Sequence, residues 1–180
     1  MVPKTTMCPL FLGTLLFLHL LPLLHCLSTN NKTLLLTNKT PTNIINQYLT
    51  PHNKIRAKLH LPPLQWSEQL ANYARWWAHQ RQGDCAMIHS QSDYGENLFW
   101  GSTGRYWGPR DAIAFWANEK SYYDYYTNTC DEGRECLHYT QIIWRHSLRV
   151  GCAKVICTNG YTFIGCNYDP HGNILGQKPY

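Results

Sequence analysis

Residues 148–168 read LRVGCAKVICTNGYTFIGCNY, and this stretch decides the fold class. The segments LRVGCAKVIC and YTFIGCNY are each typical of a β-strand. Between them stands Thr158-Asn159-Gly160, which is typical of a hairpin turn. The stretch therefore predicts two antiparallel strands joined by a tight connection.

Three helices are expected before this hairpin. Residues 44–60 (IINQYLTPHNKIRAKLH) carry apolar residues at close to helical spacing, and Pro51 either kinks one helix or starts a second one. Residues 66–82 (WSEQLANYARWWAHQRQ) place apolar side chains on one helical face, with Ser67 as a suitable N-cap. Residues 109–123 (PRDAIAFWANEKSYY) predict a third helix with proline near its start.

The other segments are expected to be irregular. Residues 84–109 are rich in glycine, residues 127–136 form a polar loop, and residues 170–180 are expected to be extended. Helices that come first and strands that follow favour an α+β fold, in which helices pack on an antiparallel sheet.

A short apolar run, LFLGTLLFLHLLPLL, occupies residues 10–24 and follows Lys4. It is short for a membrane-spanning helix, which needs about 20 apolar residues. Together with the small and polar residues that follow, it predicts a secretory signal peptide over residues 1–27, with a membrane anchor as the alternative. The protein is therefore expected to be secreted, with no integral membrane segment.

Residues 28–43 are rich in Thr and Asn and are interpreted as a flexible N-terminal extension, so that the folded domain spans residues 44–180. Asn31 and Asn38 each begin a sequon for N-glycosylation. A secreted chain can carry sugar at these positions, or the sequons can remain unused; both readings stay open.

Cysteine usage agrees with export. Of the eight cysteines, Cys8 and Cys26 lie in the signal segment, and an even number remains. In an exported chain this predicts three disulfides, with the pairing left open. A zinc cluster is the alternative, but the chain has no C-x-x-C pair. The remaining cysteines are Cys85, Cys130, Cys136, Cys152, Cys157 and Cys166.

The formal net charge is +5, and the basic residues are scattered along the chain. A mild positive charge without a long Lys/Arg run argues against nucleic acid as a partner.

Two polar motifs point to a known family. HYTQIIWRHS (138–147) and FIGCNYDPHGN (163–173) resemble the two signature motifs of the CAP superfamily, which comprises cysteine-rich secretory proteins, antigen 5 and pathogenesis-related 1 proteins. The triplet Gly95-Glu96-Asn97, the pair His52-Asn53 with Arg56, and the order of the six cysteines agree with this.

The segment CNYDPHGNILGQKPY (166–180) is similar to plant pathogenesis-related 1 proteins in particular, and the likeness covers residues 44–180. The resemblance implies a three-layer α-β-α sandwich. It also implies the disulfides Cys85–Cys157, Cys130–Cys136 and Cys152–Cys166. The chain departs from the family pattern at Leu137, where glycine is usual, and at Pro51, where small helix-forming residues are usual.

The resemblance implies a central cavity lined by two histidines and two acids, which map by motif to His52, Glu96, Glu119 and His138. No cofactor is required, but His52 and His138 are suitable ligands for Zn²⁺ or another divalent metal, and a carboxylate can orient a bound water. The alternative is a structural role, in which these side chains hydrogen-bond neighbouring segments.

A cluster of aromatic residues lies in WANEKSYYDYY (116–126) and predicts a groove for a flat apolar ligand such as a sterol. The alternative is that these residues belong to the core. The candidate groove residues are Trp116, Tyr122, Tyr123 and Tyr125.

The resemblance therefore implies a monomeric defence protein of the plant extracellular space, the apoplast, that binds a sterol or another lipid and acts against fungi or oomycetes. It also implies a peptide precursor, in which a cut between Asp169 and Pro170 releases residues 170–180 to a receptor. A metal-dependent hydrolase or protease that uses the His/Glu cavity is the alternative, although the chain contains neither HExxH nor GxSxG.

Overall fold

The computed structural model describes residues 39–180. The expected signal peptide, both sequons and residues 28–38 of the expected extension lie outside the described residues. The helices are α1 (Thr42–Ala57), α2 (Glu68–Gln80), α3 (Pro109–Asn118) and α4 (Leu137–Ile142). The strands are β1 (Gln65–Trp66), β2 (Gly95–Gly101), β3 (Tyr123–Asp124), β4 (Thr129–Cys130), β5 (Arg149–Ile156) and β6 (Thr162–Asp169).

The central sheet has four strands in the order β1-β5-β6-β2. The hairpin predicted from residues 148–168 is confirmed as β5 and β6, which pair antiparallel along their whole length. Gly160 in the connecting turn has a φ of 81°, which glycine adopts without a steric penalty. β2 pairs antiparallel with β6, β1 is parallel to β5, and β3 and β4 form a separate two-residue ladder.

Helices cover both faces of this sheet. On β6, Ile164 and Tyr168 pack in one hydrophobic core with Ile113 of α3. Phe163, whose side chain points to the opposite face, packs in a second core with Ala78 of α2. Every residue of β6 except the last is buried, as expected for a strand covered on both sides. The three-layer α-β-α sandwich is thus confirmed.

The helical predictions hold with changes at their ends. Ser67 caps α2, since its side chain accepts a hydrogen bond from the backbone N–H of Leu70. Pro51 lies inside α1, which continues as one helix on both sides of it. The third helix ends as an α-helix at Asn118 and continues as a 3₁₀ turn over Glu119–Tyr122.

Two elements appear where irregular structure was expected. β2 lies inside the glycine-rich segment 84–109, and β4 lies inside the polar loop 127–136. The end of the expected extension is also packed, because α1 begins at Thr42 and Thr40 is buried against Glu68. The folded part therefore begins before Ile44.

Buried Arg56 ties α1 to the chain that follows α4. Its guanidinium donates to the carbonyls of Ile142 and Trp144 at 2.9 and 2.7 Å, and to that of Ser147 at 3.1 Å. Burial lowers the pKa of Arg56 to about 10. These carbonyls lie at and just after the end of a short helix, so the side chain ties the C-terminal end of α4 to α1.

Three disulfides staple the sandwich, and they pair as the family resemblance implied. They are Cys85–Cys157, Cys130–Cys136 and Cys152–Cys166. Across residues 39–180, none of the helices combines the length and the apolar character needed to cross a membrane.

Candidate functional site

A pocket of about 240 Å³ opens where β2 begins, beside the start of α4. Four segments contribute to it: the loop before β2, β2 itself, α4 with the residues just before it, and the C-terminal tail. Its lining residues are His89, Glu96, Asn97, Glu135, Leu137, His138 and Asn173.

His138 is held in this pocket by Glu119. The Nδ1 atom of His138 lies 2.7 Å from Oε1 of Glu119, which stands at the start of the 3₁₀ turn after α3. The second oxygen of Glu119 accepts the backbone N–H groups of His138 and Tyr139 at 3.0 and 3.1 Å. One carboxylate therefore orients the imidazole and also satisfies the N-terminal end of α4.

His89 makes the equivalent pair with Glu96. Its Nδ1 atom lies 2.8 Å from Oε1 of Glu96, whose side chain is 6% exposed against 61% for the imidazole. The carboxylate also accepts hydrogen bonds from Ser90 and from the side-chain amide of Asn167. The loop before β2 is thereby tied to the sheet.

Charge and hydrogen bonding shift the pKa values of this pair in opposite directions. Burial raises the pKa of Glu96, but hydrogen bonds from His89, Ser90 and Asn167 outweigh burial, so the net shift is downward. The hydrogen bond to Glu96 raises the pKa of His89. Glu96 is therefore an anion, and its charge favours the imidazolium form of His89.

The two pairs share one arrangement. In both, Nδ1 of the imidazole faces a carboxylate, and Nε2 has no hydrogen-bond partner among residues 39–180. A carboxylate on one ring nitrogen is the usual partner of a metal-binding histidine, because it orients the ring and makes the other nitrogen more basic. The same arrangement also serves to bind a polar ligand group.

The expectation that His52 lines the cavity is wrong. His52 is fully buried in the core, where its Nδ1 atom donates to the carbonyl of Tyr48 at 2.8 Å. Its Nε2 atom therefore accepts from the hydroxyl of Tyr168 at 2.7 Å. Both ring nitrogens are occupied, and burial lowers the pKa of His52 to about 4. His52 is a neutral structural residue and is unavailable to a metal.

His89 takes the place that was expected for His52, and sequence reasoning missed it. The one feature of the sequence that could have indicated His89 is its position seven residues before Glu96. No helical or strand periodicity marks the loop in which it lies. The other expected cavity residues are found here: Glu96 and His138 line the pocket, and Glu119 stands behind His138.

A buried chain of hydrogen bonds nevertheless connects His52 to the pocket. The amide of Asn97 donates to the Tyr168 hydroxyl at 3.3 Å and to the carbonyl of His138 at 3.0 Å. His52 therefore supports the pocket from the core through Tyr168 and Asn97.

In the part of the chain that the structure describes, no three His, Cys, Asp or Glu side chains come close enough to hold one ion. Leu137, where the family pattern has glycine, lines this pocket with a side chain that is 53% exposed.

The expected aromatic groove is not formed as a unit. Trp116 is 2% exposed and donates its Nε1–H to the carbonyl of Leu98, so it belongs to the core. Tyr123 faces the side where β4 and the C-terminal tail meet, and Tyr125 stacks on Tyr180. Trp116, Tyr123 and Tyr125 were expected to line one groove, but in the structure their side chains lie in different places.

Tyr122 alone of the four candidates faces a larger pocket, which is lined by two aromatic side chains together with polar and charged ones. This pocket has a volume of about 410 Å³ and lies between α3 and the loop that follows β4. Phe115, 62% exposed, forms one wall, and Arg134 lies 5.0 Å above the Tyr122 ring. Glu119 and Glu135 also line it. Glu135 also lines the pocket of about 240 Å³ that contains His89 and His138, here named the His89–His138 pocket, so the two pockets are adjacent.

The C-terminal tail lies along α4. The backbone N–H of Gly172 donates to the buried side chain of Gln141, and the hydroxyl of Thr140 donates to Asn173. Asp169, the last residue of β6, accepts from Arg149. The segment expected to be released therefore begins where the sheet ends.

Comparison with known proteins agrees with the fold and the motifs. The model of the cysteine-rich secretory protein family (CAP) matches residues 49–168. The chain is 49% identical over 136 residues to pathogenesis-related protein PR-1 of Medicago truncatula, covering 75% of this chain and 78% of that one. It is 50% identical over 133 residues to pathogenesis-related protein 1 of Arabidopsis thaliana, covering 74% and 80%.

Solved structures share the fold. Schistosoma mansoni venom allergen-like protein 4 superposes with a TM-score of 0.61 at 25% identity, covering 78% of this chain and 95% of that one. A structure described as NaASP2 with Zn²⁺ gives a TM-score of 0.65 at 21% identity, covering 80% and 88%. Three disulfides and a secretory family indicate an extracellular protein. The chain belongs to the cysteine-rich secretory protein (CAP) family and is similar to the plant pathogenesis-related 1 proteins within it.

Proposed function

We propose that this protein is a defence protein of the apoplast that binds a sterol or another lipid in the pocket between Phe115 and Tyr122 and thereby restrains fungi or oomycetes. The relatives named pathogenesis-related protein 1 support the defence role. The observation that carries the lipid assignment is the pocket of about 410 Å³ with Phe115 exposed on its wall. Its volume and the two aromatic side chains of Phe115 and Tyr122 suit a small ligand with an apolar body.

The polar lining residues of the Phe115–Tyr122 pocket suit the single hydroxyl of a sterol. Glu119 and Glu135 line it, and the Arg134 guanidinium caps the Tyr122 ring. An apolar body would then contact the aromatic rings, while a hydroxyl would find an acceptor at the carboxylates.

The test is binding of a fluorescent ergosterol analogue to the disulfide-bonded secreted protein. Phe115→Asp and Tyr122→Asp should each weaken saturable binding at least about tenfold, because a charge enters the apolar wall. Tyr126→Asp is the matched control, since Tyr126 is 89% exposed and does not line this pocket. Equal loss in all three variants, or no binding by the parent protein, would refute this site. Hyphal growth with the same variants then tests the antifungal action.

A divalent metal suits the donors of the His89–His138 pocket. Nε2 of each imidazole would hold the ion, and Glu96 and Glu119 would orient the rings through Nδ1. Two imidazoles are suitable for Zn²⁺, which when bound supplies Lewis acidity. Calorimetric titration of Zn²⁺ into the protein should show one site that is lost in His89→Gln and retained in His79→Gln; binding unchanged in the first variant would contradict this assignment.

A second function is supported by the tail. Residues 170–180 follow the last strand and contain no helix or strand, and Leu175 is fully exposed. A cut between Asp169 and Pro170 would separate this segment from the sheet without removing any strand. Mass spectrometry of extracellular fluid from elicited tissue should detect the peptide of residues 170–180 for a receptor to bind. Abundant intact protein with no such peptide in repeated samples would count against release.

A metal-dependent hydrolase is the weaker alternative. Proteins of this family are in general not conventional enzymes. Any hydrolysis by the purified protein should disappear in a His89→Gln/His138→Gln double variant, and activity that survives would come from a contaminant.

A further inference from the structure

One edge of the central sheet is largely uncovered. β5 pairs with β6 over its whole length, but on its other edge β1 pairs at Arg149 and Val150 alone. Beyond that point, Gly151–Ile156 has no neighbouring strand on this edge among residues 39–180. An open edge presents main-chain N–H and C=O groups to which another extended segment can pair.

Backbone groups of two residues on this edge have no backbone partner among residues 39–180. The carbonyl of Val150 accepts from the backbone N–H of Ser67, which follows β1, and that of Ile156 accepts from the side-chain amide of Gln82, which follows α2. Because backbone groups alternate in direction along a strand, those of Cys152 and Lys154 point to this same edge. In the described part of the chain they have no backbone partner on that side.

A groove of about 450 Å³ runs beside these groups. Ile44 and Tyr48 of α1 form one wall, and Arg75 and His79 of α2 form the other. We name it the basic edge groove, because its charged lining is positive. Its cationic residues are Lys39, Arg75 and Lys154.

No carboxylate among the described residues lines the basic edge groove. Glu68 contacts the groove indirectly, through Thr40. Its oxygens already accept from the N–H and hydroxyl of Thr40 and from the indole of Trp66. α1 also begins at Thr42 without an acidic residue in its first turn, so the positive end of its dipole remains uncompensated.

We propose that the basic edge groove binds an extended acidic peptide segment of a partner protein by β-strand addition. The peptide main chain pairs with Cys152 and Lys154, and its carboxylates lie beside Lys39, Arg75 and the Lys154 ammonium. Main-chain pairing supplies affinity in such complexes, and the side chains of alternate residues supply specificity. Charge complementarity selects acidic sequences.

The open backbone favours a peptide over an anionic lipid. An acyl chain in the groove would cover the N–H and C=O groups of Cys152 and Lys154 without bonding them, at the cost of desolvating them. An extended peptide satisfies both. The groove is separate from the pocket proposed for lipid, with which it shares no lining residue.

The test uses a fluorescein-labelled acidic peptide of alternating Asp and Val, six residues long, and fluorescence anisotropy with the disulfide-bonded protein at low salt. We expect saturable binding that weakens as salt screens the charges. Lys154→Glu and Arg75→Glu should each weaken binding at least about tenfold. Lys120→Glu, which reverses an exposed charge outside the groove, should leave it within about twofold.

Lys154 also donates to the carbonyl of Trp107, and its ammonium lies over the Tyr106 ring, so Lys154→Glu also removes contacts within the protein. A second test therefore changes the peptide and leaves the protein unaltered. N-methylation of alternate peptide amides keeps every charge and removes the pairing donors, and it should abolish binding. Retained binding of this peptide, no saturable binding of the parent peptide, or binding of dodecyl phosphate in its place would each overturn the proposal.

Discussion

The Oε2 atom of Glu119 accepts the backbone N–H of His138 at 3.0 Å, although the two residues lie on different elements. α4 has only six residues, and Cys136 at its N-cap provides no side-chain hydrogen bond. An acid from the 3₁₀ turn after α3 thus does what an N-cap side chain normally does. The same carboxylate orients the imidazole of His138, so helix formation and pocket geometry depend on one group.

Replacing Glu119 should therefore destabilise the protein more than replacing an ordinary acidic residue would. We expect Glu119→Ala to lower the free energy of unfolding by about 2 kcal/mol, because two buried N–H groups lose their acceptor. Glu132→Ala, in an exposed loop, should change it by less than about 0.5 kcal/mol. Urea denaturation measures both, and equal values would show that Glu119 does not cap α4.

Lowering the pH should decrease the free energy of unfolding, because the pKa of His52 is lower in the folded protein than in the unfolded chain. Its pKa falls from an ordinary value of 6.5 to about 4 in the folded protein. Between these values the unfolded chain binds a proton that the folded protein does not, so stability falls as pH decreases, by up to about 1.4 kcal/mol per pH unit.

The matched comparison for this pH effect is His52→Gln, in which the titrating group is absent. The raised pKa of His89 acts in the opposite direction, but it is present in both proteins and cancels in their difference. The parent should lose stability relative to the variant as pH falls from 6.5 to 4. A constant difference across this range would show that burial does not lower the pKa of His52 in the folded protein.

Gly151 should not tolerate even a methyl group. A Cβ atom there would stand 2.1 Å from the backbone N of Ala71 and 2.5 Å from the carbonyl O of Ser67. Both are backbone atoms at the start of α2, which packs directly on the sheet. Unlike side-chain atoms, they cannot relieve the clash by a change of rotamer. We expect Gly151→Ala to cost about 3 kcal/mol of unfolding free energy.

Gly83→Ala is the control for this substitution, because a Cβ atom there meets nothing within 4 Å. Thermal and urea unfolding of the two variants should differ clearly. If Gly151→Ala proved as stable as Gly83→Ala, α2 would have to sit farther from β5 than the structure places it.

The three disulfides should differ in their contribution to stability. The chain-entropy account predicts about 4.4 kcal/mol for Cys85–Cys157, which closes 72 residues, and about 2.2 kcal/mol for Cys130–Cys136, which closes six. Double Cys→Ala variants, compared by urea denaturation, measure this order. The reverse order would show that packing around the sulfur atoms outweighs loop closure.

Elements with a strong local pattern could be predicted from the sequence. α2 has a long apolar stripe and a serine cap, and the β5–β6 hairpin has a glycine turn between two strands. β2 was missed because glycines and a loop-like composition surround it, and its strand character depends on pairing with β6. α4 is too short for periodicity to mark it, and its cap comes from Glu119, which lies 19 residues before His138.

The candidate site was only partly accessible to sequence reasoning. Motif resemblance led to Glu96, Glu119 and His138, which the structure places at or beside one pocket. It led to His52 as well, although that ring lies in the core. A motif records which residues recur together, but it does not record whether a side chain faces the core or a pocket.

The sequence by itself determined the number of disulfides, the α+β class and the family. These follow from composition, spacing and motifs, which are properties of the chain read in order. Only the tertiary structure decided that His89 and not His52 joins the pocket, and that Trp116 is core. The reason is physical: burial and the identity of hydrogen-bond partners depend on contacts between residues far apart in the chain, such as His52 and Tyr168.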